Sequence, residues 1–147
     1  MSYARSEATM RITASDPLHE CVKVWATREV GPERVPSLAR KELAKWLGAG
    51  HPALPDLQEI ASELITNAIL HADADWVRMS LSREPYSWQL TVTDPGAAGK
   101  AAPPSRQSRS SDERGRGLLI VDALTEGRWD TTVNAAGERV VWTQVRR

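Results

Sequence analysis

The chain has 147 residues, enough for one domain with its own core. Nineteen Lys plus Arg balance 19 Asp plus Glu, so the formal net charge is zero and the electrostatic footprint of a general nucleic-acid binder is missing. Cys21 is the only cysteine, which excludes an internal disulfide and a Cys-based zinc site and favours a reducing compartment.

No apolar run reaches membrane-spanning length, and the polar start, Met1-Ser-Tyr-Ala-Arg-Ser-Glu7, has no signal-peptide core. The expectation is a cytoplasmic protein without membrane or direct nucleic-acid contact. In chain order, Met10–Ala14 and Cys21–Thr27 alternate apolar and polar residues and predict strands. Gly31-Pro32 breaks the second run. Val35, Leu38, Ala39, Leu43, Trp46 and Leu47 recur at helical spacing, and Gly48 and Gly50 stop that helix. Asp56 is the expected N-cap of a second helix, with Leu57, Ile60, Ala61, Leu64, Ala68 and Ala72 on its apolar face.

Trp76–Ser82 and Trp88–Thr93 alternate again, joined at Glu84-Pro85-Tyr86, and predict an antiparallel hairpin. Pro95–Gly115 is rich in Ala, Gly, Pro, Ser and Arg, and its interior position favours a functional lid over a linker. Leu118–Leu124 is helical in pattern. Arg128–Val133 and Arg139–Val145 predict two final strands around the turn Asn134–Gly137. Antiparallel strands with helices able to cover one face give an α+β, two-layer α/β sandwich.

Three constellations carry chemistry. Glu63, Asn67 and His71 lie four apart and form one stripe beside the apolar face of the second helix. Alone, this is a solvated polar face ending in a His favoured by the helix dipole. Yet Asn is a poor mid-helix residue, its carbonyl is a hard ligand suited to Mg²⁺, and a carboxylate one turn away can accept a hydroxyl proton. Asp94-Pro95-Gly96 ends a strand on an acid able to accept from an exocyclic amine, with a glycine that lets a base ring approach; alone it is an ordinary turn. Gly115-Arg116-Gly117-Leu118 precedes an apolar helix, where glycine N–H groups and the helix dipole favour phosphate and Arg116 adds a charge; alone it is a hinge. Arg106, Arg109 and Arg114 read as solvated.

In this order and spacing the chain resembles the GHKL (Bergerat-fold, histidine-kinase-like) superfamily of ATP-binding domains. Glu63–Ala72 is similar to its N box, Val92–Gly96 to its first glycine box and Gly115–Val121 to its second. Glu-Leu-Ile-Thr-Asn-Ala-Ile-Leu-His-Ala and Gly-Arg-Gly-Leu-Leu-Ile-Val-Asp-Ala-Leu resemble the bacterial anti-sigma-factor serine/threonine kinases. The resemblance runs from about Val22 to Val145, so residues 1–20 stand as an N-terminal extension with room for one extra strand, and 21–147 as the ATP-binding domain with its lid at 95–115.

The resemblance implies a mixed, mostly antiparallel sheet with helices on one face. It implies ATP and Mg²⁺, with Asn67 on the metal, Glu63 as base or water-positioning group, and Asp94 reading adenine. Gly96 would shape the base pocket. Gly115, Gly117 and the backbone around Arg116 and Leu118 would hold phosphates, and His71 would close the N box. The implied partners are a sigma factor and an anti-anti-sigma (STAS-type) protein, and the implied assembly is a homodimer. Two positions depart from the pattern. Ala98 replaces the second Gly of Asp-x-Gly-x-Gly, and Arg139-Val140 stands where the family often has Gly-Thr, removing a hydroxyl near the adenine. Neither change is expected to touch Glu63, Asn67 or Asp94. An ATP-dependent kinase and a nucleotide-gated binding module with little or no kinase activity both remain open, and a metabolic or nucleic-acid-processing ATPase is the weakest reading.

Overall fold

The computed structural model describes residues 9–11, 20–96 and 113–147, with backbone only for 9–11 and 113–116. Among the described residues six strands form one sheet in the order β1-β2-β3-β4-β6-β5. They are β1 (Thr9–Arg11), β2 (Glu20–Ala26), β3 (Trp76–Arg83), β4 (Ser87–Asp94), β5 (Trp129–Val133) and β6 (Arg139–Arg146). The sheet expected to be mixed is antiparallel at every described pairing. The hairpin β3–β4 and the turn between β5 and β6 are local, and α1 to α3 return the chain from β2 to an antiparallel β3.

Among the described residues four α-helices accompany the sheet: the single turn α1 (Thr27–Val30), α2 (Val35–Leu47), α3 (Leu54–Ala72) and α4 (Glu113–Thr125). The strand alternation decides which face they cover. Val77, Met79 and Leu81 of β3 and Leu90 and Val92 of β4 are buried on one side. The β6 residues opposite β4, Val141, Thr143 and Val145, lie on that same side. Against them pack Leu57, Ile60, Ala61, Leu64 and Ala68 of α3, Val35, Ala39 and Leu43 of α2, and Leu118 and Val121 of α4. This is the α+β two-layer arrangement the sequence predicts. Trp129 anchors the β5 edge of the core, its indole N–H donating to Asp122 Oδ1 at 3.0 Å.

Two helix boundaries differ from the sequence reading, and both move the start earlier. The second helix begins at Leu54 rather than after Asp56, because Pro55 fits the first turn and its missing N–H costs nothing there. Asp56 lies inside that first turn, where its charge complements the helix dipole. The last helix begins at Glu113, so Gly115, Arg116 and Gly117 are helical residues rather than a loop before the helix. The expected lid at 95–115, with Ala98, Arg106 and Arg109, falls for the most part outside the described residues.

The end of α3 is fastened to the sheet. Asp73 takes a left-handed conformation (φ 49°, ψ 48°) that stops the helix. The buried Thr27 hydroxyl donates to the Ala74 carbonyl at 2.6 Å, and the Thr27 amide donates to Asp75 O at 2.9 Å. No helix among the described residues is long and apolar enough to cross a membrane.

Candidate functional site

The polar stripe of α3 turns toward α4. Glu63 and Asn67 are half-buried, flanked by the core residues Leu64 and Ala68, and His71 is exposed in the last turn. Gly117 of α4 lies directly against the Glu63 carboxylate: a Cβ added at Gly117 would collide with Glu63 Oε1. A glycine there lets the backbone of the second helix reach the acid of the first. The structure thus joins two constellations that are 54 residues apart in the sequence, since 117 minus 63 is 54. The Gly115 backbone lies in the same first turns of α4. The Arg116 side chain is outside the described residues.

Burial lifts the Glu63 carboxyl above the ordinary glutamate range, and the charge of Glu59, one turn earlier, adds to the rise. Among the described residues Glu63 has no ion pair to offset this. A carboxylate made more basic by partial desolvation is better suited to take a proton. Glu59 was not singled out from the sequence, although its spacing of four from Glu63 was visible there.

The second part of the site is the end of β4. Asp94 is the last residue of that strand and is buried. Gly96 donates its amide to Asp94 Oδ1 at 2.8 Å. Gly96 has φ +85°, and an added Cβ would strike the Gly137 carbonyl oxygen in the β5–β6 turn. Only glycine allows this turn to pass so close to its neighbour.

One expectation is corrected here. Arg139 was expected to leave Asp94 untouched, and it does not. Asp94 and Arg139 are direct cross-strand partners of β4 and β6, so their side chains leave the sheet on the same face. Arg139 Nε and Nη2 both donate to Asp94 Oδ2, at 3.0 and 2.8 Å. The side chains of Asp94 and Arg139 keep only 3% and 11% of their surface exposed. The carboxylate expected to read a base is therefore covered by a guanidinium of the same chain. The missing hydroxyl was legible in the sequence; the register that sets position 139 opposite position 94 was not.

A family model, the histidine kinase-like ATPase domain, matches residues 29–142. That span is 114 of 147 residues and contains both halves of the site. The chain belongs to this family. No curated protein matches it. This is a GHKL-type ATP-binding domain, and the matched span includes Glu63, Asn67, Asp94 and Gly117. A separate cavity of about 440 Å³, lined by His51, Ala53, Arg83, Trp88 and Arg147, opens near the start of β4. Six residues along the strand separate Trp88 from Asp94, which puts this cavity roughly 20 Å from that acid.

The family implies Mg²⁺ as well as ATP, and the residues present fit it in one form only. Among the described residues no group of three His, Cys, Asp or Glu side chains can cage a metal. Mg²⁺ rarely needs such a cage. It is commonly held by one or two protein oxygens together with phosphates and water. Asn67, half-buried one turn after Glu63, is a donor of that kind.

Proposed function

We propose that this ATP-binding domain is a cytoplasmic serine/threonine protein kinase of the anti-sigma-factor type, which sequesters a sigma factor and phosphorylates an anti-anti-sigma (STAS-type) partner. The observation that supports the reading is the Glu63 carboxylate. It is partly desolvated, raised in basicity and pressed against the helix that carries the second glycine box.

In the proposed reaction the partner's Ser or Thr hydroxyl gives its proton to a Glu63 oxygen. The hydroxyl oxygen bonds to the γ-phosphorus while the bond from that phosphorus to the departing ADP oxygen breaks. Asn67, through its amide oxygen, would hold Mg²⁺. The metal, when bound, neutralises charge developing on the β- and γ-phosphate oxygens. The first turn of α4, with Gly115, has N–H groups without an intrahelical acceptor that would donate to the phosphates, and the dipole of that helix favours the same anion. Phosphoryl transfer rests mainly on positioning and charge stabilisation, so this short set of groups is sufficient.

Labelled ATP incubated with the protein and candidate STAS-type partners tests the reading. Transfer of label to a partner Ser or Thr, lost in Glu63→Gln, supports it. Label that persists undiminished in Glu63→Gln removes Glu63 as the base. Partner binding that depends on ATP without any transfer favours a second reading, a nucleotide-gated binding module. The pairing of Asp94 with Arg139 speaks for that module, because a guanidinium already sits on the acid expected to read the base.

A further inference from the structure

We propose that Arg139 is the residue that sets affinity for the base: its guanidinium occupies the Asp94 carboxylate in place of an exocyclic amine, and a purine nucleotide enters only by displacing it. The inference rests on the reading of Asp94 as the base-reading acid. It adds that this acid is held closed by the chain itself.

Four observations carry it. The two residues are opposite each other in register, so the contact is built into the pairing of β4 with β6. Arg139 places two N–H donors on one carboxylate oxygen, Oδ2, while the Gly96 amide takes the other, Oδ1. An amine arriving at Asp94 thus finds Oδ2 filled by two donors and Oδ1 already holding one. The pair is almost fully covered, at 3% and 11% side-chain exposure, so no open face of the carboxylate is left for a base to approach. Finally, the Gly96 turn that caps Oδ1 passes so close to Gly137 that no Cβ fits there, so Asp94 is enclosed by backbone on that side and by Arg139 on the other.

An exocyclic amine and a guanidinium offer the same chemistry to a carboxylate, N–H donation. The guanidinium adds a full charge and a second donor, so it holds the acid more strongly. Binding energy from the triphosphate is then partly spent on releasing Arg139. The prediction is specific to the base. A ligand with phosphates and no base does not need Asp94 and is indifferent to Arg139.

Calorimetric titration of the full chain with Mg-ATP and, separately, with Mg-triphosphate tests this in wild type, Arg139→Ala and Arg139→Gln. Arg139→Ala strips a buried acid of its partner. Arg139→Gln keeps one N–H donor on Asp94 and preserves the fold should the alanine variant unfold. The expected result is ATP binding roughly tenfold to a hundredfold tighter in the variants, the range for losing a charged hydrogen-bonded competitor. Triphosphate affinity stays unchanged, and the gain disappears when Asp94→Asn is combined with Arg139→Gln. Equal or weaker ATP binding in the single variants overturns the role of Arg139 and leaves the ATP site standing. A parallel rise for triphosphate also overturns it, because the effect is then not at the base. Absence of ATP binding in all the proteins overturns the nucleotide site and this inference with it.

Discussion

Glu63 and Asp94 are both acids on the helix-covered side of one sheet, and their surroundings differ in kind. Glu63 sits on a helix face, half-buried, with a second acid one turn away and a glycine backbone across from it. Asp94 sits at a strand end, buried, with a guanidinium and a backbone amide on its two oxygens. The first acid is left basic and available; the second is satisfied and closed. Desolvation without a partner raises the energy of a charge, and desolvation with matched donors holds it in place. The acid that would do chemistry therefore has no counter-charge among the described residues, while the acid that would choose the substrate must first be opened.

The largest effect that would break this contrast is kinetic. Glu63→Gln should lower phosphotransfer by roughly 10²–10⁴-fold, the usual contribution of a positioned base, measured as the single-turnover rate of partner labelling. An equal loss from Asp94→Asn at saturating ATP would mean that the two acids share one role. Next comes stability. Asp94→Ala strands the buried Arg139 charge and should destabilise the fold by about 3–5 kcal/mol in urea unfolding. Glu63→Ala removes a half-buried acid that has no ion pair among the described residues and should not destabilise by a comparable amount. Combining Asp94→Ala with Arg139→Ala should cost less than the sum of the single changes, because the stranded charge is gone.

Two glycine substitutions sharpen the same comparison. Gly96→Ala places a Cβ on the Gly137 carbonyl at φ +85° and should destabilise by about 1–3 kcal/mol, through strain and overpacking. Gly117→Ala drives into a side chain that can rotate, so its cost in stability should be smaller and its effect on transfer rate larger. Thermal unfolding and the labelling rate separate the two.

The smallest effect is on pH dependence. Burial raises the Glu63 pKa in the folded state, so ionised Glu63 works against folding at neutral pH. Its contribution to stability is fully present below the pKa of the unfolded chain and is lost as pH rises through the raised folded value. Glu63→Gln should therefore be more stable than wild type at pH 7. The difference should close as pH falls through the carboxylate range. A constant difference across that range would mean that the carboxyl is not perturbed.

The sequence carried the helical half of the site well. Spacings of three and four marked the apolar face of α3, and spacing four gathered Glu63 and Asn67 beside it; both patterns arise from one helix and need no tertiary information. The β3–β4 hairpin was equally local, with Pro85 and alternation on either side. What stayed hidden depends on distant pairing. Only the β4–β6 register sets Arg139 on Asp94, 45 residues away, and a one-residue slip would send Arg139 to the other face. The fate of Gly115 and Gly117 was hidden for another reason. Glycine is a weak helix former and usually marks a boundary, yet here packing against Glu63 and the core draws it into α4. Ile65 was overlooked because it lies off the main apolar stripe, although it is fully buried.

The most direct test of the account is calorimetric titration of the intact chain with ATP in the presence of Mg²⁺, repeated with Arg139→Gln. The account predicts a saturable ATP site in wild type that tightens when Arg139 no longer holds Asp94. A chain that shows no ATP binding in either form would contradict it.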